Sequence, residues 1–412
     1  MLSDAKTIIS RSIAAVLPDE AVRRALEGRT FSRPVTLVAI GKAAWRMAKA
    51  AHGAIEGNIA RGIVITKYGH SEGPIGELEI FEAGHPVPDE SGVAAAQRAL
   101  ELVAGLTQED TVLFLVSGGG SALFELPAPG ASLEDIAQIT RQLLACGAEI
   151  TEINTLRKRL SAVKGGRFAL ACRPAKVLSV VLSDVLGDAL DVIASGPAAP
   201  DKATNADAAH IVQKYGLEIP QHIMPLLEVE TPKTLDHVES VITGSVSELC
   251  AAAARAAQAL GYQPLILTTM LSCEAREAGE TLAATAQSIR RGVLQETLPC
   301  AIILGGETVV HLKGNGKGGR NQEIALAAAK GIDGLKDVCI FSLGSDGTDG
   351  PTDAAGGIVT GETAGRARAL GLSIDAALGS NDAYPLLEAL DSLIMTGPTG
   401  TNVNDVSVLL VR

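Results

Sequence analysis

Aromatic residues make up only 3% of this 412-residue chain, and no apolar run reaches the roughly 18 residues that a membrane span requires. Cysteine pairing is missing too. The six cysteines, at 146, 172, 250, 273, 300 and 339, show no C-x-x-C spacing, which excludes a disulfide framework and a zinc ribbon and reads as small buried residues in a reducing compartment. Positive charge is scarce. With 35 Lys+Arg against 47 Asp+Glu the formal net charge is −12, so a basic stripe for nucleic acid is not expected. The first twenty residues, MLSDAKTIISRSIAAVLPDE, carry early acidic side chains and lack a signal-type apolar core, which predicts a cytoplasmic protein without a membrane partner.

What remains is 47% hydrophobic, with a mean hydropathy of +0.25. Such a chain packs alanine-rich helices closely on sheets. Its length suggests two domains, on a prior of roughly 100–200 residues each. The apolar, β-branched runs at 35–40, 62–66, 111–116 and 176–183 read as strands buried on both faces. Helical segments at 42–55, 91–104, 132–146 and 152–171 separate them, which predicts a doubly wound α/β domain with a mostly parallel sheet. The second half supplies strands ESVITG, PLIL, CAIILGG, TVVHLKG, DVCIFSLG and DVSVLLV, and helices at 246–260, 274–290, 320–330 and 361–370. Proline-bearing stretches near 195–207 and 228–237 place the boundary, giving domains 1–230 and 231–412 around a cleft.

Function is concentrated where strands run into glycine. Lys42 follows VTLVAIG at a helix start, and Arg320 follows the loop GNGKGG, again at a helix start. A cation facing a helix N-terminus is unfavourable by roughly 0.3–1 kcal/mol unless an anion lies between them, so both positions point to phosphate or carboxylate, with Gly318 and Gly319 allowing close backbone approach. Lys42 does not belong to a Walker loop, because Thr36 and Ala43 stand at positions that motif fixes. The run Ser117-Gly118-Gly119-Gly120-Ser121 is read as a phosphate cradle. Asn154, Arg157 and Lys164 are read as a basic wall for the nucleotide, against the alternative of a solvated, salt-bridged helix face. Asp184 and Asp188 end another strand; Asp346, Asp349 and Asp353 occupy an acidic glycine loop, and Glu307 lies beside the basic one. Magnesium held by one or two carboxylates plus phosphates suits Asp188, Glu307, Asp346 and Asp349 better than calcium does, since Gly357 stands where an EF-hand needs glutamate. Asp184, with Asp349 as the alternative, is the candidate to orient an acceptor hydroxyl or take its proton. Gly314, Gly316 and Gly319 spell G-x-G-x-x-G, which keeps a nicotinamide-dependent reductase open; a non-catalytic protein that binds a small acid is the third reading.

The motifs AIGKAAWRMA, FEAGHPVPDE, LVSGGGSALFELP, EINTLRKRLSAVKGGR, LSDVLGDALDVIASGP, GGETVVHLKGNGKGGRNQEIALAAA, GSDGTDGPTDAAGG and TGPTGTNVNDV together resemble the class II glycerate 2-kinase family. That resemblance spans nearly the whole chain. It implies a Rossmann-like N-terminal domain, a C-terminal MOFRL-like domain, and ATP-dependent phosphorylation of D-glycerate to 2-phospho-D-glycerate with Mg²⁺ in the interdomain cleft. The family's active-site lysine and arginine fall on Lys42 and Arg320. Members are also labelled hydroxypyruvate reductase, and a homodimer is compatible with these features.

Overall fold

The computed structural model describes every residue except Glu56 and divides into two compact units, Pro18–Thr243 and Met1–Leu17 with Gly244–Arg412. In the first unit, six strands, β1 (Val35–Ile40), β2 (Ile59–Lys67), β3 (Glu79–Ala83), β4 (Thr111–Val116), β5 (Lys176–Leu182) and β6 (Val238–Gly244), form a sheet ordered β3-β2-β1-β4-β5-β6. The β1–β2, β2–β3, β1–β4 and β4–β5 pairings are parallel.

Alternation along each strand splits its side chains between two cores. Leu37, Ala39, Leu113, Leu115 and Val180 meet helices Pro18–Leu26 and Ala44–Ala54, while Val38, Ile40, Phe114, Val116 and Val181 meet Glu90–Val103 and Arg167–Ala171. Full burial of each aliphatic side chain contributes roughly 1.5–3 kcal/mol, which explains why the central strands read as unbroken apolar runs. Half of the chain's phenylalanines sit in the second core, where Phe168 lies 4.6 Å from Phe114 and 5.3 Å from Phe124 between ring centroids. A third cluster joins helices Leu133–Ala145, Ile150–Arg159 and Asn205–Tyr215.

The topology fixes where ligands fit. From β1 the chain moves to β2 and β3 on one side, then crosses to β4 on the other, so the loops after β1 and β4 diverge at a switch point.

In the second unit, β7 (Gln263–Leu271), β8 (Cys300–Gly306), β9 (Val338–Gly344), β10 (Gly356–Thr360), β11 (Leu393–Ile394) and β12 (Asp405–Val411) give the order β11-β10-β9-β12-β8-β7. This sheet is mixed: β7 and β8 are parallel and the remaining neighbours antiparallel. Helices Ala275–Arg290 and Arg320–Gly331 pack together on it through small residues; a Cβ on Gly279 would stand 2.3 Å from the Ile324 carbonyl oxygen.

Three expectations change. The segment 308–314 is no strand: Val309 and Leu312 are exposed, and its one ladder contact is an isolated bridge from Val309 to Glu274. The helix expected over 152–171 is two, Ile150–Arg159 and Arg167–Ala171, because Gly165 and Gly166 turn the chain at φ 56° and 83°. The units divide at 17/18 and 243/244 where the sequence reading places the break at 230/231, since β6 completes the first sheet and helix Leu2–Ala15 packs on Val246–Ala259. Among the described residues no helix is long and apolar enough to cross a membrane.

Candidate active site

At the switch point the loops after β1 and β4 are stitched together. The Lys42 N–H donates to the Gly118 carbonyl at 2.9 Å, the Ala43 N–H to Ser117 Oγ at 3.1 Å, and the Ser117 N–H to the Ile40 carbonyl at 3.0 Å. Gly41 must be glycine here: its φ is 110°, and a Cβ would meet Ser117 Oγ at 2.3 Å. The loop after β5 closes over the same place. A Cβ on Gly118 would lie 2.3 Å from Asp184 Oδ2, and one on Gly119 would lie 3.1 Å from Lys42 Cγ and 3.0 Å from the His85 ring. Lys42, Ser117–Ser121 and Asp184 therefore converge, and His85, which the sequence reading passes over, joins them.

The far end of the glycine loop is held from beneath. Ser121 Oγ and Ser195 Oγ are 2.9 Å apart, Ser195 donates to Asn154 Oδ1 at 3.2 Å, and Arg157 Nη2 donates to the Ser121 carbonyl at 3.3 Å. Ala194 and Ser195 adopt φ of 51° and 61°, a strained conformation that brings Ala194 Cβ to 2.8 Å from where Gly120 would carry its own.

The rest of the basic run turns inward. Lys164 is fully buried with its ammonium 2.5 Å from Glu125 Oε2, and burial, opposed by the Glu125 charge, pulls its pKa down to about 8. Lys158 pairs with buried Asp201 at 2.9 Å, and Arg167 donates to the carbonyls of Lys158, Arg159 and Ser161 at the end of the helix. Lys164 thus departs from the expected wall: its turn lies beyond Arg159, and its charge is matched inside the protein.

In the second unit the anions expected around Arg320 are the protein's own. Asp349 accepts the N–H groups of Asn321 and Gln322, at 3.1 and 2.8 Å, and so caps the helix N-terminus. Asp405 grips the guanidinium through Nε at 2.5 Å and Nη2 at 3.0 Å, and Glu307 takes Nη1 at 3.0 Å. Burial works against the Arg320 charge, but the Asp405 bond and the surrounding carboxylates outweigh it and raise its pKa. Burial is also the first cause pushing Asp349 up to about 6, against the two helix N–H groups and aided by the Asp405 charge. Asp405 was not anticipated; only the polar NVND run ahead of an apolar strand marks it.

The glycine loop before Arg320 is likewise satisfied internally. The N–H groups of Lys313 and Gly314 donate to Asn381 Oδ1, that of Gly316 to the Ser380 carbonyl, and that of Lys317 to Asp382 Oδ1. Cβ atoms on Gly314 and Gly316 would meet the Ser380 backbone at 2.5–2.6 Å, and one on Gly319 would meet Asp349 Cγ at 2.3 Å. Close approach is required here, to protein rather than to ligand. Gly318 is looser, with Ala383 N 3.3 Å from its Cβ direction.

The acidic candidates do not form a cage. Among the described residues no three His, Cys, Asp or Glu side chains are arranged to hold a metal. Asp349 is committed to the helix and Glu307 to Arg320, while Asp346 Oδ1 accepts the Thr348 N–H at 3.0 Å. Asp188 differs: it has φ 53° and a buried Oδ1 with no hydrogen-bond partner among the described residues.

The family model described as "Domain of unknown function (DUF4147)" matches residues 4–228, and the MOFRL family model matches 300–405. D-glycerate 2-kinase of Thermotoga maritima is 54% identical over 98% of this chain and 97% of its own length. This chain belongs to the glycerate 2-kinase family. The crystal structure of the Thermotoga maritima glycerate kinase superposes with a TM-score of 0.96 at 52% identity, covering 100% of this chain and 99% of that one. A relative from Agrobacterium vitis, 40% identical over 98% of this chain and 93% of its own, is provisionally named hydroxypyruvate reductase.

In this member of the family, the G-x-G-x-x-G at Gly314, Gly316 and Gly319 lacks the buried strand that a dinucleotide fingerprint needs before it, and its glycines pack on Ser380 and Asp349. The reductase reading loses its motif. The switch-point edge of the first unit gives a sharper test. Gly118→Ala would push the Asp184 carboxylate away by about an ångström, a misplacement that, if Asp184 acts on substrate, costs about 10²-fold in turnover. Expected is that loss with an unchanged melting curve, measured by steady-state kinetics and calorimetry.

Proposed function

We propose that the protein transfers the γ-phosphoryl group of ATP to the 2-hydroxyl of D-glycerate. One observation carries this reading: Asp184 and Lys42 meet over adjacent glycines of a loop at the sheet's switch point, in a chain 54% identical to a relative named D-glycerate 2-kinase. Phosphoryl transfer asks for in-line alignment and neutralised charge rather than covalent help from the protein. Asp184 orients the hydroxyl and takes its proton as the O2–P bond forms and the bond to the β-phosphate bridging oxygen breaks, releasing ADP. Lys42 offsets charge on the transferring group. Ser117 to Ser121 bring backbone close to the reactants, with the phosphates at the Ser121 end, which Arg157 and, through Ser195, Asn154 hold. Arg320 is the second cation assigned to the reaction, kept charged and fixed in direction by Asp405. Gly319 lets its loop close on Asp349, which holds the helix that carries Arg320; Gly318, beside it, is looser.

Magnesium, when bound, offsets phosphate charge. It takes one or two protein carboxylates alongside phosphates, so a three-carboxylate cage is not required, and Asp188 with its unpartnered oxygen fits as a ligand. Glu307 and Asp346 are the further candidates, since Asp349 has spent both oxygens on helix N–H groups. Consumption of ATP and six free cysteines suit a cytoplasmic setting.

Purified protein given D-glycerate, ATP and Mg²⁺ is expected to release ADP and yield 2-phosphoglycerate, distinguished from the 3-isomer by ³¹P NMR. Oxidation of NADH with hydroxypyruvate, without ADP release from glycerate, would overturn the reading.

A further inference from the structure

Three neighbouring strands each deliver a basic group to one edge of the first sheet. Lys42 follows β1, Lys67 closes β2, and His85 follows β3, with Lys67 in register with Ala83, two residues before His85. His85 and Lys42 meet over Gly119, where a Cβ would lie 3.1 Å from both His85 Nε2 and Lys42 Cγ. His70 adds a ring whose Nδ1 is 3.1 Å from the Lys42 carbonyl oxygen.

We propose that Lys67 and His85, beside Lys42, form the subsite that holds the carboxylate of the hydroxy-acid substrate. The assignment rests on the kinase reading and deepens it. Its reason is spacing. Asp184, which handles the hydroxyl, lies over Gly118, and the basic cluster lies over Gly119, one residue on, about 3.8 Å between α-carbons. In a 2-hydroxy acid the hydroxyl and the carboxylate are likewise on adjacent carbons, so one small molecule reaches both places at once. ATP's phosphates are assigned to the other end of the loop, at Ser121, which Arg157 meets directly and Asn154 through Ser195.

The electrostatics agree. Burial first, then the charges of Lys42, Lys67 and His70, pull the His85 pKa below its ordinary value, so the edge carries positive potential that an arriving carboxylate relieves. The acids nearest along the chain are engaged elsewhere: Glu82 Oε1 accepts the Gly69 and Ser71 N–H groups, both at 3.0 Å, and the Asp89 oxygens accept the Gly92 N–H at 3.0 Å and the Tyr68 hydroxyl at 2.8 Å. The remaining facing acid, Asp184, sits over Gly118 and has its own role.

The test separates acid from nucleotide. Charge-assisted hydrogen bonds of this kind are worth about 10–100-fold in affinity, so His85→Ala and Lys67→Met should each raise KM for D-glycerate by about that factor. KM for ATP should stay within about twofold, and kcat/KM for glyceramide, which lacks the carboxylate, should not change. Lys67→Arg should recover most of the loss. A parallel rise in KM for ATP, or an equal penalty with glyceramide, would overturn the proposal. Failure of the underlying reading looks different: the parent protein would release no ADP with glycerate, while calorimetry with D-glycerate alone would still report weaker binding in both variants if the subsite is right. Lys67 ends a strand, and its variant keeps the test alive should His85→Ala fold poorly.

Discussion

Lys42→Ala is expected to lower kcat for glycerate phosphorylation by about 10²–10³-fold, the scale seen when one group that stabilises transition-state charge is removed. Fold stability should stay within about 0.5 kcal/mol of the parent. The separation of the two effects follows from the structure. Lys42 holds the switch-point loops together through its backbone, whose N–H and carbonyl meet Gly118, Thr66 and His70, and a substitution leaves these in place. Among the described residues its ammonium has no ion-pair partner, so no ion pair is lost with the side chain. Steady-state kinetics beside a thermal melt decide the matter. A variant that melts early and retains kcat per folded molecule would make Lys42 a structural residue and remove the central cation from the mechanism.

Much of the first unit was legible because its central strands are buried on both faces and so are written as unbroken apolar runs. β3 escaped for the opposite reason: EIFEA is an edge strand with one of its five residues buried. That omission hid His85 as well, because a residue gains meaning as a strand-end group only once the strand is seen. β10 and β11 lie toward one side of a mixed sheet; β10 opens on two glycines and β11 has only two residues, so periodicity could not mark them. The segment 308–314 shows the converse failure, alternation without a neighbouring edge to pair with.

At the sites, what a residue can do was readable, and what satisfies it was not. The helix-start position of Arg320 was read as calling for a ligand anion, and the structure puts the protein's own carboxylates there. The sequence could not say that Asp349, 28 positions after Asn321, and Asp405, 85 after Arg320, would supply them. The basic run from 157 to 167 misled in the same way, because Glu125 and Asp201, which absorb Lys164 and Lys158, become neighbours only in the folded chain. A cluster of charge in sequence measures local composition; whether it faces ligand or core is decided by partners far along the chain.

Arg320 therefore needs a different experiment from Lys42. Removing it takes away a cation assigned to catalysis and also strips the partner from Asp405, whose side chain is 7% exposed beside Asp349. Arg320→Ala is expected to cost about 10²–10³-fold in kcat and, because one member of a largely buried pair is left alone, about 3 kcal/mol of stability. The sign of the pH dependence follows from the carboxylates. Asp349 is raised to about 6, and burial also raises Asp405, so both bind protons in the folded protein at a pH where the unfolded chain has released them. Their contribution is complete below the ordinary carboxylate range and is lost as pH rises through about 6. Without Arg320 to favour its ionised form, Asp405 moves further the same way, so the stability deficit should be smaller at pH 5 than at pH 8. Adding Asp405→Asn removes the stranded charge, and the double variant should regain most of the lost melting temperature while staying inactive. Recovery of both together would mean that Arg320 acts only by holding Asp405 in place, and a deficit that grows on acidification would show that the buried carboxylates are not what the arginine offsets.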